Sequence, residues 1–123
     1  MDGRKGNSIM KTLLTALLIT ISSVASADIF VKYQGWVDES QMSDLWTKPS
    51  SIVYNMWYDN YYEYLIVNLR GTNYHYCGIP EDVVREWQFS SSLGTYYSRY
   101  IRTNYDCRYE GTIPPYALSL IHI

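Results

Sequence analysis

Tyr62-Glu63-Tyr64-Leu65-Ile66-Val67-Asn68-Leu69-Arg70-Gly71-Thr72-Asn73-Tyr74-His75-Tyr76-Cys77 is the stretch from which the fold is read. Leu65, Val67 and Leu69 alternate against Tyr64, Ile66 and Asn68, the two-residue period of a strand. Arg70-Gly71 makes a tight hairpin, and Thr72–Cys77 returns as the next strand. Upstream, Ser50–Asp59 is rich in β-branched and aromatic residues and reads as a strand, with turn chemistry at Asp59-Asn60. Farther out, Asp28–Val37 alternates weakly, with Ile29, Val31 and Tyr33 on one side and Phe30 and Lys32 on the other, as an edge strand does. Asp38–Pro49 is polar, lacks a clear period and reads as a loop with at most one helical turn.

Beyond Cys77 the period changes. Pro80-Glu81-Asp82 is a helix start, because proline suits the first position and acids complement the N-terminal dipole. Val83, Val84, Trp87 and Phe89 follow at helical spacing. Ser90-Ser91-Ser92 ends that helix and supplies an N-cap for a second, whose buried face is Leu93, Tyr97, Tyr100 and Ile101 with Arg99 and Arg102 beside it. The expected fold class is therefore α+β: an antiparallel three- to four-stranded meander followed by two short helices packed on one face.

The ends of the sequence speak to compartment. Lys11, an apolar run from Leu13 to Ile21 and Ala25-Ser26-Ala27 have the order of a secretory signal peptide, with Met10 a possible start. The apolar run gives out too early for a spanning helix, which needs roughly 20 such residues. The expected organisation is a leader over 1–27, an N-terminal strand and loop over 28–49 and a domain over 50–117. Residues 118–123 read as a translated sequencing adapter, so His122 carries no functional reading. The expected location is periplasmic or secreted, with no membrane span after cleavage.

Removing 1–27 takes the formal charge from −2 to −4, because seven basic residues then face eleven acidic ones. Neutralisation of phosphates dominates nucleic-acid affinity, so this balance argues against nucleic acid as partner. Export places Cys77 and Cys107, the chain's two cysteines, in an oxidising compartment, where a disulfide is expected. The competing readings are a metal site and a Cys–His nucleophile. Only His75 and Asp106 lie near the cysteines in sequence, which matches no zinc pattern. His75 and Cys77, two apart on a strand, point the same way without an orienting third group. No cofactor and no metal are expected.

Several stretches together resemble the KTSC domain. They are Ser50-Ser51 before an apolar strand to Tyr58-Asp59, Gly71-Thr72-x-Tyr74-His75-Tyr76, the Ile79-Pro80 helix start, Ser92-x-Gly94-x-Tyr96-Tyr97 and Ile101-Arg102-x-x-Tyr105. The family is named for its place at the C-terminus of some lysyl-tRNA synthetases, and most members are small stand-alone proteins. The resemblance spans Ser50 to about Arg108. Val31-Lys32-Tyr33-Gln34-Gly35-Trp36-Val37-Asp38 and Asp106-Cys107-Arg108 are similar to an exported bacterial subgroup. Those relatives carry a second cysteine pair where this chain has Asp44 and Trp57, which leaves Asp38–Pro49 less tethered here. The synthetase association implies nucleic-acid contact for cytosolic members, and the acidic charge of this chain departs from it.

Fourteen tyrosines are the other prominent feature. Tyrosine joins an apolar body to a hydrogen-bonding tip, so it serves as half-buried core or as interface. The candidate binding residues are Tyr62, Tyr64, Tyr74, His75 and Tyr76 on the strands, with Arg99 and Arg102 as a possible anion pocket on the second helix. Three functions compete. The first is a non-catalytic interaction module for an unknown protein or envelope component. The second is a single-stranded nucleic-acid binder using stacked aromatics. The third, a small hydrolase centred on His75 and Cys77, is excluded by a disulfide at Cys77.

Overall fold

The computed structural model describes residues 28–118. The leader at 1–27 lies outside them, as does 119–123. At Arg70 and Gly71 the backbone takes φ of 53° and 97°, the positive pair that a two-residue turn of type I′ requires. This turn sets β5 (Tyr64–Leu69) against β6 (Thr72–Cys77), in register from Leu69↔Thr72 to Tyr64↔Cys77. β4 (Val53–Asp59) pairs antiparallel with β5 on its other side. Asp59 closes the β4–β5 turn by accepting the Tyr61 N–H at 2.9 Å and the Tyr62 N–H at 3.2 Å. A bulge between Val53 and Asn55 lets Val53 join Met56 and Tyr58 on one face.

The sheet around this meander overturns the expected fold class. It has six strands in the order β2-β1-β6-β5-β4-β3 and is mixed, not a three- to four-stranded antiparallel meander. β1 (Asp28–Val31) and β2 (Gly35–Asp38) form a hairpin where one edge strand was expected. Gln34 N–H donates to the Val31 carbonyl at 3.0 Å, and Tyr33 and Gly35 take φ of 69° and 104° to reverse the chain. β1 then joins β6 in parallel at Val31↔Asn73. Such a long-range pairing leaves no mark in local periodicity.

The segment read as a loop also contributes. After a 3₁₀ turn at Glu39–Gln41, β3 (Ser43–Leu45) pairs antiparallel with β4. Asp44 stands directly opposite Trp57. Residues opposed in an antiparallel pair lie within Cα reach of a disulfide, so Asp44 and Trp57 are close enough for such a link.

Helices cover both faces, where two on one face were expected. α1 (Glu81–Gln88) follows Pro80 with Glu81 and Asp82 in its first turn. α2 (Leu93–Tyr96) is capped by Ser92, whose hydroxyl accepts the Thr95 N–H at 3.2 Å. It continues into a π turn over Tyr97–Ile101, closed by the Arg102 N–H on the Tyr97 carbonyl at 3.0 Å. Val84, Trp87, Leu93 and Ile101 pack there on Leu65, Val67 and Tyr76. Phe89 and Tyr100 are 66% and 51% exposed and lie outside the apolar stripe the sequence assigns them to. α3 (Pro115–Leu118) lies on the opposite face, where Ala117 is buried with Val31, Val37, Trp57, Tyr64 and Ile66. β5 is thus covered on both sides. Burying each large apolar side chain contributes on the order of 1.5–3 kcal/mol.

What carries the chain across to that second face is a crossing beside β6. Cys77 and Cys107, 30 residues apart, form a disulfide. The Cys77 N–H donates to the Tyr105 carbonyl at 2.8 Å. Just beyond, the backbones of Gly78 and Gly111 touch, and a Cβ on Gly111 would lie 2.3 Å from the Gly78 nitrogen. Closing a loop of this length contributes about 3–4 kcal/mol in the chain-entropy model. Gly111→Ala should therefore cost more than Gly35→Ala, whose φ is also positive but whose Cβ would meet nothing within 4 Å. Expected losses in urea unfolding are about 1–2 kcal/mol at Gly35 and clearly more at Gly111. Equal losses would contradict the close crossing.

Candidate functional site

β6 is flanked unevenly along its outer edge. The Asn73 carbonyl accepts the Lys32 N–H at 2.8 Å, and four residues later the Cys77 N–H reaches Tyr105. Alternate residues of a strand turn their backbone groups to the same side. His75, midway, therefore turns its N–H and C=O outward, where no backbone partner meets them among the described residues. β1 has left the edge at this point, and the segment around Cys107 has not yet arrived. The gap is a cleft of about 680 Å³, with Tyr74, His75 and Tyr76 as its floor.

Its walls come from both flanks. Lys32, Tyr33 and Gln34 of the β1–β2 turn form one, and Arg102, Asp106, Cys107, Arg108 and Ile113 form the other. Lys32 sits over two rings, 5.2 Å from the centroid of Tyr33 and 5.7 Å from that of Tyr74. Such cation–π contacts hold the ammonium at the cleft mouth. Arg108 is engaged within its own wall by Asp106 at 2.7 Å, and its hydrogen bonds pull the Asp106 carboxyl down to about 2. Neither Lys32 nor Arg102 has an ion-pair partner among the described residues. The cleft is positive in a protein whose acidic residues otherwise outnumber its basic ones.

His75 has a defined protonation state. Burial pulls its pKa down to about 4, with the nearby Asp106 charge opposing. Tyr64 is fully buried, and its hydroxyl meets His75 Nδ1 at 2.8 Å. Burial pushes the Tyr64 phenol well up, so it keeps its proton. Among the described residues Nδ1 is the hydrogen-bond partner the structure gives this buried hydroxyl, so satisfying the phenol proton assigns Nδ1 as its acceptor and the imidazole hydrogen to Nε2. On the sheet's other face the Tyr76 hydroxyl hydrogen-bonds that of Tyr97, and burial again pushes the Tyr76 phenol up. His75, Tyr64 and Tyr76 are therefore neutral at ordinary pH.

The sequence-predicted residues are only partly brought together. Tyr74, His75, Tyr76, Arg102 and Cys107 line the cleft. Tyr62 and Tyr64 lie on the face that also holds His75, opposite Tyr74 and Tyr76, and there Tyr116 packs edge-on against both and donates to Asp59 Oδ2 at 2.8 Å. The strand tyrosines therefore form no single face. Arg99 is separated from Arg102 and borders a shallow hydroxyl-rich depression with Lys48, Ser50 and Ser98. Lys32, Tyr33, Gln34, Asp106 and Arg108 were not among the candidates. The signal that reaches them is the resemblance at Val31–Asp38 and Asp106–Arg108, since both stretches end at this cleft.

Residues 49–105 match the sequence profile described as KTSC domain. The chain is similar to the crystal structure of a KTSC domain protein from Yersinia pestis, at 23% identity and a TM-score of 0.49, covering 53% of this chain and 92% of that one. No curated protein matches the chain. Among the described residues, no cluster of His, Cys, Asp and Glu could hold a metal ion, and no helix is long and apolar enough to cross a membrane.

The depressed His75 pKa has a directional consequence. Between pH 6.5 and 4 the unfolded chain binds a proton that the folded chain does not, so stability falls as pH falls through this window and levels off below it. His75 should contribute about 2–3 kcal/mol of that loss. Urea unfolding at pH 4 and pH 7 should show a smaller difference for His75→Asn than for the parent. An unchanged difference would place the His75 titration elsewhere.

Proposed function

We propose that this chain, which carries a KTSC domain over residues 49–105, is a non-catalytic binding module whose ligand seat is the cleft beside β6. We assign it to the periplasm or the cell exterior, reached through the leader at 1–27. The protein is a small disulfide-stabilised domain, and the partner it serves is a protein or envelope component.

The observation that carries this reading is the interrupted edge of β6. A strand of the sheet interior has both edges occupied, whereas here one residue is left open between Lys32 and the Cys107 segment. Unpaired strand edges are places where other chains add. Tyr74, half-buried, supplies amphipathic surface at that point, and Arg102 supplies charge. Tyrosine and arginine are the residue types that dominate binding hot spots.

A binding role also accounts for chemistry the cleft does not offer. The Cys77 sulfur is bonded to Cys107 and is no nucleophile. His75 spends Nδ1 on Tyr64 and holds a proton on Nε2, so it donates a hydrogen bond where a general base would have to accept one.

A photo-crosslinking amino acid at Tyr74 tests the seat in the exporting cell, with Tyr54, 55% exposed on β4 and outside the cleft, as control. Adducts should form from position 74, disappear when Lys32→Gln and Arg102→Gln are combined, and be absent from position 54. Equal adducts from both positions would sink the assignment. Mass spectrometry of the same sample should find a mature N-terminus at Asp28; an intact leader on the crosslinked species would remove the export reading.

A further inference from the structure

We propose that the ligand of this cleft is an acidic peptide bound in extended conformation, its backbone pairing with His75 and its carboxylates meeting Lys32 and Arg102. The inference rests on the cleft being the binding seat and adds the class of partner.

The backbone supplies the first argument. His75 offers one outward N–H and one outward C=O, flanked by neighbours already paired with Lys32 and Tyr105. One donor and one acceptor at strand spacing are what a single residue of an extended peptide matches by exchanging both bonds. The gap is one residue long, so the peptide touches the sheet there and leaves it again over the cleft walls.

Charge supplies the second. Of the seven basic residues after the leader, Lys32, Arg102 and Arg108 line this one cleft, and its single acidic residue, Asp106, is bound to Arg108. Lys32 and Arg102 remain to meet anions. The His75 Nε2–H adds a neutral donor whose tautomer Tyr64 fixes.

The third concerns what flanks the seat. Phe30 and Trp36 oppose each other across the β1–β2 hairpin, with ring centroids 5.5 Å apart, and are 54% and 53% exposed. Within β1, Val31 is buried on the face of Ala117, so its neighbour Phe30, and with it this aromatic pair, lies on the other face, where Tyr74 also packs. An apolar side chain of the peptide can cover it. A nucleic-acid strand would use the charge but not the paired backbone groups, and it would meet only two uncommitted cations.

The test begins with a display library of random decapeptides panned on the immobilised, disulfide-bonded domain. Retained sequences should be enriched in Asp and Glu. A synthetic peptide from that pool should lose about tenfold in affinity for each of Lys32→Gln and Arg102→Gln. N-methylation of one backbone amide near its centre should weaken it comparably, which a purely electrostatic contact would not show. Retained sequences without acidic enrichment overturn the proposal, as does insensitivity to backbone methylation. Single-stranded oligothymidylate that binds more tightly than the selected peptide overturns it in favour of nucleic acid. Should crosslinking from Tyr74 succeed while acidic peptides fail, the seat stands and the peptide class falls.

Discussion

The architecture depends on one crossing of the chain. Where β6 ends, Cys77-Gly78 meets the strand-less segment around Cys107–Gly111 through a disulfide, a backbone hydrogen bond and a contact between two glycine backbones. A modest domain has little apolar area with which to offset the entropy of ordering a tail. The covalent link shortens that task by restricting the unfolded chain. It also determines direction: past the crossing the chain turns to the face away from α1 and α2. There Ala117 and Tyr116 cover Tyr64 and Ile66.

The same crossing creates the cleft. It occupies the outer edge of β6 at Cys77 but extends no farther along it, while β1 occupies the edge only as far as Asn73. The vacancy at His75 is what remains between two independent attachments. Stability and binding are linked here through geometry, since reducing the disulfide would free one wall of the seat. Tyr64 contributes from beneath: its phenol is core, yet its hydroxyl holds Nδ1 of His75.

Much of the centre was legible because its signals are local. Arg70-Gly71 marks the hairpin, Pro80 and Ser92 mark the helix starts, and Leu65 and Val67 give the strand period. The outer strands were not legible. Val31 and Val37 are buried against the C-terminal segment, a surface that no window around them contains. Ser43–Leu45 is a three-residue strand that exists only because β4 templates it. For the site, Tyr74, His75, Tyr76 and Arg102 were nominated by residue type, but their grouping depends on which way each strand residue faces. Alternation sends Tyr62 and Tyr64 to one side and Tyr74 and Tyr76 to the other once the hairpin register is known. Arg99 and Arg102 look adjacent in sequence, and the π turn between them separates their surroundings. Lys32 and Arg108 come together only through the parallel β1–β6 pairing and the disulfide.

The central claim is that, among the described residues, the outer side of β6 is left unpaired at the His75 N–H, between Asn73 and Cys77. Amide hydrogen exchange resolved by residue tests it most directly. The Cys77 N–H, bonded to Tyr105, should exchange slowly, as should the inward amides of Tyr74 and Tyr76 that face β5. The His75 N–H should exchange orders of magnitude faster than these, as unpartnered edge amides do. Protection of His75 equal to that of Cys77 would mean that the edge is closed and that the cleft offers no backbone to a ligand.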